Sequence, residues 1–217
     1  HKPVWTLGDG RAPGPVQPAL CGIFEGDALP VDQSLIEALG DEIFEALCSR
    51  QTLKPITERH GDFTIDDAYR VSLRILAHRQ ARGETLIGKK IGVTSFAVQN
   101  MLGVDQPDFG FLFDRMVYEG EMPISSALIQ PRAEGELAFI LKTGLAGPGV
   151  TDADVLAATE WVMPCFEVVD SRIEDWRIKI EDTVADNASC GLFTMGPKVR
   201  PDGLDFPNLE MTVWKNG

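Results

Sequence analysis

Apolar residues recur at every fourth position along Leu35, Leu39, Ile43 and Leu47, which places them on one face of an amphipathic helix. Ser34 and Glu37 open that segment with capping-box spacing. Thr64-Ile-Asp-Asp67 starts a second helix, with Ile65, Tyr69, Ser72 and Leu76 as its stripe and Gly83 as its stop. A short strand over 85–91 and a brief helix over 95–102, closed by Gly103, come next. From Phe109 onward the pattern changes to runs that suit strands: 111–118, 132–141 and 162–169. A helix opened by Thr151 interrupts them, and a turn-and-helix segment covers 175–187. Helices first and strands afterwards predict an α+β fold rather than a doubly wound sheet. Residues 209–217 read as a strand entering an Asn-Gly hairpin turn with no second strand, so the chain is expected to be C-terminally incomplete.

The first thirty residues break this regularity. Ten of them are Pro or Gly, and neither period survives such spacing, so residues 1–30 are expected to be a tail. Either the natural chain starts near Val31, at an alternative start codon, or the segment is a genuine extension packed on the surface. Residues 31–217 then form a single domain, which 217 residues with 44% hydrophobic and 24% charged content can support.

A net charge of −13 argues against nucleic acid and anionic membranes as partners, since phosphate binding needs Lys/Arg surfaces. No apolar run approaches the roughly 18 residues of a membrane span. No basic segment followed by an apolar run marks a signal peptide. Four irregularly spaced cysteines, Cys21, Cys48, Cys165 and Cys190, suggest reduced thiols and a cytoplasmic protein. The histidines, His1, His60 and His78, have no supporting neighbours in sequence and read as surface residues.

The chemistry-bearing residues are carboxylates. Glu134 and Glu136 are two apart in PRAEGELAFIL, so on a strand they share a face. Like charges side by side on a half-buried strand are unfavourable unless a cation or a proton sits between them. Leu137, Phe139 and Leu141 predict that this strand is buried. Glu167, in the apolar run Cys165-Phe-Glu-Val-Val169, can supply a third carboxylate at the same point. Three carboxylates without a histidine or cysteine cluster make a hard oxygen site, suited to Mg²⁺ or Mn²⁺ rather than Zn²⁺. The same spacing also fits two solvent-facing glutamates on an edge strand and one unrelated glutamate.

Other residues stand near this reading. Lys89 and Lys90 lie in a glycine-flanked apolar strand, where adjacent side chains face opposite ways. One is therefore expected outside and one inside, the inner one able to orient or protonate an anionic substrate; the plainer alternative is that both reach water. Asp108, in Gln106-Pro-Asp-Phe-Gly110, either caps a turn or acts as a loop-borne acid/base. The segment 182–190, which contains Asn187 and Ser189, is either a substrate-binding loop or a helix termination.

The stretches IGKKIGVTSFAVQNMLGVDQPDFGFL, LIQPRAEGELAFIL and VMPCFEVVDSRIEDWRIKIEDTVADNASCG closely resemble the 2-keto-4-pentenoate (2-hydroxypenta-2,4-dienoate) hydratases of the fumarylacetoacetate hydrolase superfamily. The resemblance covers roughly Asp32 to Gly217. It implies a β-rich mixed barrel or roll of the fumarylacetoacetase C-terminal-domain type after the helices. It implies that Glu134, Glu136 and Glu167 hold a divalent metal, Mg²⁺ or Mn²⁺. It also implies that Lys90 is the active-site lysine, that Asp108 is an acid/base, and that Ser189 lies beside the substrate, with Asn187 in the same loop.

The implied reaction is hydration of a small 2-hydroxydienoate from meta-cleavage of aromatic compounds to a 4-hydroxy-2-oxo acid. Related decarboxylases acting on 4-oxalocrotonate, and C–C hydrolases, share such a site, so these activities stand as alternatives. A non-catalytic role in a hydratase–decarboxylase assembly is a further one. A homo-oligomer and a complex with a related decarboxylase are the expected protein partners.

Overall fold

The computed structural model describes residues 32–217. The expected tail at 1–30, with Cys21 and His1, lies outside the described residues. Seven α-helices and six strands alternate with short 3₁₀ turns among the described residues, and the N-terminal helices precede the sheets. The chain is α+β, as the order of periodic segments predicts.

Helix α1 (Gln33–Ser49) buries Ile36, Leu39, Ile43, Phe44 and Ala46. Its N-cap is Asp32, whose carboxylate accepts the Ser34 amide. The cap therefore sits two residues before the expected Ser34, because the acidic side chain already satisfies the first free N–H groups. Helix α3 (Ile65–Ala81) starts where predicted. Thr64 and Asp67 form a reciprocal capping box, and Gly83 follows in left-handed backbone (φ 78°).

A four-residue helix, α2 (Ile56–Arg59), and α7 (Ile180–Ala185) complete the helical core. Ile36, Leu39, Ile43, Ile56, Val71, Ile75, Ile180 and Val184 pack in one cluster. Each fully buried Ile, Leu or Val of this kind contributes about 1.5–3 kcal/mol against exposure.

Strands β1 (Leu86–Gly92) and β2 (Asp108–Phe113) pair antiparallel, with Lys90 opposite Gly110 and Gly92 opposite Asp108. Between them lies α4 (Phe96–Leu102), capped by Ser95 and ended by Gly103. The predicted strand over 111–118 is broken. A 3₁₀ turn at Asp114–Met116 separates β2 from the two-residue β3 (Val117–Tyr118).

A second sheet has the order β3-β6-β5-β4, from β4 (Arg132–Leu141), β5 (Thr159–Val169) and β6 (Leu192–Met195). The short helices α5 (Ile124–Ala127) and α6 (Asp152–Ala158) precede β4 and β5, and Thr151 and Asp154 cap α6 as its spacing predicts.

The described residues fall into two compact units. One contains 32–134 and Glu167–Phe193, and holds the helical core and the β1-β2 pair. The other contains Gly135–Phe166 and Thr194–Gly217, where Val162 and Val199 form an antiparallel bridge and Phe139 stacks on Phe206.

Two expectations fail in this second unit. Leu137 and Phe139 are 36% and 39% exposed, so β4 is not the buried strand that its apolar positions suggest. Residues 209–214 form no strand, although Asn216 and Gly217 take the left-handed backbone of an Asn-Gly turn. Strand pairing needs a neighbouring edge, and no local pattern reports whether one is in reach.

Candidate metal centre

Strand β4 carries Glu134 and Glu136 on one face, and β5 carries Glu167. One carboxylate oxygen from each lies within 4.8 Å of the other two. Burial is graded: Glu134 is exposed, Glu136 half-buried and Glu167 only 5% exposed. At such a separation two unit charges repel by about 1 kcal/mol in water and about 3 kcal/mol at an effective dielectric of about 20. The buried Glu167 therefore feels the cost most. The donor set is entirely carboxylate oxygen, which suits a hard divalent cation. The three glutamates fit such an ion, and Lys90 stands beside Glu167 as a counter-charge.

Lys90 points inward and Lys89 outward, as strand alternation requires. The Lys90 Nζ lies 3.4 Å from Glu167 Oε2, with both side chains about nine-tenths buried. Burial alone would push the ammonium down, but Glu167, Cys190, Asp108 and Glu134 around it hold it above its ordinary value. Lys90 is thus a fixed positive charge.

Glycine makes this arrangement possible. Gly92 faces Asp108 across the β1-β2 ladder. A Cβ there would collide with Asp108 Oδ1 and come within 3.0 Å of Lys90 Nζ. The absent side chain leaves room for the Asp108 carboxyl and the Lys90 ammonium on the same side of the ladder.

Asp108 is 2% exposed. Burial raises its carboxyl above the usual range, partly offset by the Lys90 charge and a backbone hydrogen bond from Gly92. Its Oδ1 is buried without a hydrogen-bond partner. An aspartate raised in this way, next to a cation, is suited to taking and giving a proton.

Asn187 and Ser189 are buried, and Asn187 lies against β2. The Asn187 amide accepts from Phe111 N (2.7 Å) and donates to Phe111 O (3.0 Å), so it pairs with the strand as a backbone would. Ser189 exchanges a 3.1 Å hydrogen bond with Thr183. Asn187, Ala188 and Ser189 all have left-handed backbone (φ 56°, 51°, 49°), a conformation non-glycine residues rarely adopt in succession. Gly110 accepts this turn closely, since a Cβ there would lie 2.5 Å from Asn187 O and 2.7 Å from Cys190 Sγ.

Three groups near the site carried no sequence signal for it. Cys190 is 1% exposed, and burial together with Glu167 raises its thiol well above the ordinary value. Tyr69 stacks on Phe109 at 4.6 Å, and burial followed by the Asp108 charge pushes its hydroxyl up to about 12. Arg172 is buried against Asp186 at 2.5 Å and donates to Cys190 O and Asp186 O. In sequence Cys190 reads as one of four reduced thiols and Tyr69 as a stripe position of the second helix. His78 lies at the surface as expected but has neighbours there: it stacks on Phe44 at 4.6 Å and contacts Asp41 at 2.5 Å.

Fold and site together define an α+β protein in which three carboxylates converge. No family model matches the chain. A 2-hydroxypent-2,4-dienoate hydratase of Pseudomonas putida is 65% identical over 190 residues, covering 86% of this chain and 86% of that protein. A 2-hydroxyhexa-2,4-dienoate hydratase of Comamonas testosteroni is 58% identical over 190 residues, covering 86% and 72%. A solved structure of 4-oxalocrotonate decarboxylase from Pseudomonas putida G7, complexed with magnesium and adipate, superimposes with a TM-score of 0.78 at 34% identity, covering 81% of this chain and 67% of that one. The chain belongs to the 2-keto-4-pentenoate hydratase family, hydro-lyases related to the fumarylacetoacetate hydrolase superfamily.

Proposed function

We propose that the protein hydrates 2-hydroxypenta-2,4-dienoate to 4-hydroxy-2-oxopentanoate in the meta-cleavage catabolism of aromatic compounds, with Mg²⁺ or Mn²⁺ held by Glu134, Glu136 and Glu167. The convergence of the three carboxylates beside Lys90 is the observation that carries this reading. A divalent cation there would supply Lewis acidity to the 2-oxygen of the substrate. Lys90 lies 3.4 Å from Glu167 and holds positive charge where an enolate-like anion needs it. Asp108, raised by burial, moves the proton between the 2-hydroxy group and C5, which converts the dienol to a 2-oxo-3-enoate. Water then adds its hydroxyl at C4 and its proton at C3.

Asn187 and Ser189 belong to the loop beside the substrate in this reading. The finer assignments rest on the same family likeness. They are a single domain over 31–217, a barrel or roll of the fumarylacetoacetase C-terminal-domain type, a homo-oligomer and a cytoplasmic location. Among the described residues no helix is long and apolar enough to cross a membrane.

Decarboxylation of 4-oxalocrotonate is the second reading, favoured by the magnesium-bound decarboxylase among the similar structures. The hydratase relatives are the more similar in sequence, at 65% and 58% against 34% identity. The deciding measurement is the ultraviolet loss of freshly generated 2-hydroxypenta-2,4-dienoate, with and without Mg²⁺ after EDTA treatment. Turnover should vanish with EDTA, return with Mg²⁺ or Mn²⁺, and fall at least about 100-fold in Glu136→Gln. Full activity after EDTA would end the metal-dependent reading. CO₂ release from 4-oxalocrotonate without hydration would select the decarboxylase.

A further inference from the structure

Arg132 is the first residue of β4, two positions before Glu134. The pleat sends 132, 134 and 136 to the same face, and at roughly 3.3 Å per residue Arg132 stands about 7 Å from Glu134 along the strand. It is exposed, and no carboxylate among the described residues is within ion-pair distance of it. Its guanidinium instead lies 4.2 Å from the ring centroid of Trp176.

That indole is itself fixed. Trp176 Nε1 donates to Gln130 O at 3.0 Å, and Gln130 Nε2 donates to Ser171 O (3.0 Å) and Ile173 O (2.8 Å). Asp170, a few residues after Glu167, accepts from the Ile129 and Gln130 amides. Asp175 and Trp176 both take left-handed backbone (φ 57° and 55°), so the loop holds the indole in a conformation the residues do not favour alone. The strands that bring Glu134 and Glu167 together thus also bring an unpaired arginine and the ring that positions it.

Local charge gives this arginine a task. Counted at full formal charge, three glutamates and Asp108 set against Lys90 sum to −3, and a divalent cation reduces that only to −1. An anionic substrate would still meet the wrong sign. A guanidinium on the same strand face removes the deficit, and its planar fork matches a carboxylate. Stacking on an indole keeps the fork oriented while leaving its N–H edges open.

We propose that Arg132, held by Trp176, receives the carboxylate of the substrate and acts as the specificity-determining cation of the site, an inference that rests on the dienoate reading above. Two readouts test it on the full chain. One is steady-state kinetics on 2-hydroxypenta-2,4-dienoate. The other is calorimetric binding of oxalate, which mimics a carboxylate with an adjacent oxygen, to the Mg²⁺-loaded protein.

Arg132→Gln should weaken oxalate binding and raise KM at least about tenfold, with the loss of kcat/KM carried by KM and Mg²⁺ affinity retained. Trp176→Leu should move both in the same direction by about threefold. Arg200→Gln is the control, because Arg200 stacks on Trp161 at 3.9 Å in the other unit and the change in net charge is identical. It should leave both readouts in place. Unchanged oxalate binding and KM in Arg132→Gln, or an equal loss in Arg200→Gln, would overturn the proposal. If the wild type bound oxalate but did not turn over the dienoate, the reaction reading would fail. The Arg132 subsite would then stand or fall on oxalate binding alone.

Discussion

Two groups of buried charges lie close together in the helical unit, and they are built differently. Around Arg172, every charge is matched. Its Nε and backbone N–H meet the two Asp186 oxygens, its remaining nitrogens reach Cys190 O and Asp186 O, and Asp170 takes the Ile129 and Gln130 amides. Burial lifts Asp186 to about 6 even beside Arg172. Around Lys90, matching is incomplete: Asp108 Oδ1 has no hydrogen-bond partner, and Glu167, Asp108 and Glu134 all act on one ammonium. Satisfied buried charges hold a fold in one arrangement, whereas incompletely matched ones leave capacity for a cation, a proton or a substrate.

Mutation separates the two groups. The largest effect belongs to Arg172→Ala, which strands Asp186 in the interior and should cost about 3–5 kcal/mol of stability. Urea denaturation would measure it, and a loss below about 1 kcal/mol would break the contrast. Lys90→Met should reverse the pattern. In saturating Mg²⁺ its kcat should fall about 100-fold, equivalent to about 2.7 kcal/mol in the barrier, while its melting temperature moves less than that of Arg172→Ala.

A surface pair marks the lower limit. Hydrogen bonds from Arg74 and then His78 hold the Asp41 carboxyl at about 2, below its ordinary 3.8, yet its side chain is 49% exposed. Its contribution is present above about pH 4 and is lost as pH falls toward 2. Solvent screening keeps it to at most about 1 kcal/mol. Asp41→Asn should therefore lower stability slightly at pH 7 and not at pH 2, as thermal melts at the two values would show.

Legibility in the sequence followed the range of the interactions. The capping boxes at Thr64 and Thr151, the left-handed Gly103 and the opposite facing of Lys89 and Lys90 are set by neighbours within a few positions. Local pattern reads such features well. The exposure of Leu137 and Phe139, the break at Asp114–Met116 and the unpaired run at 209–214 depend on partners far along the chain. The Asn187 clamp on Phe111 spans 76 positions, and no local signal distinguishes it from a loop amide.

The amino-acid order by itself determined that Glu134 and Glu136 share a face, that only one of Lys89 and Lys90 turns inward, and that helices come before strands, because pleat and helix periods are local geometry. Only the tertiary structure decided that Glu167 closes the trio, that Gly92 leaves room for both the Asp108 carboxyl and the Lys90 ammonium, and that Trp176 stacks on Arg132. Each of these joins segments distant in sequence, and their meeting is set by how strands pair and helices pack.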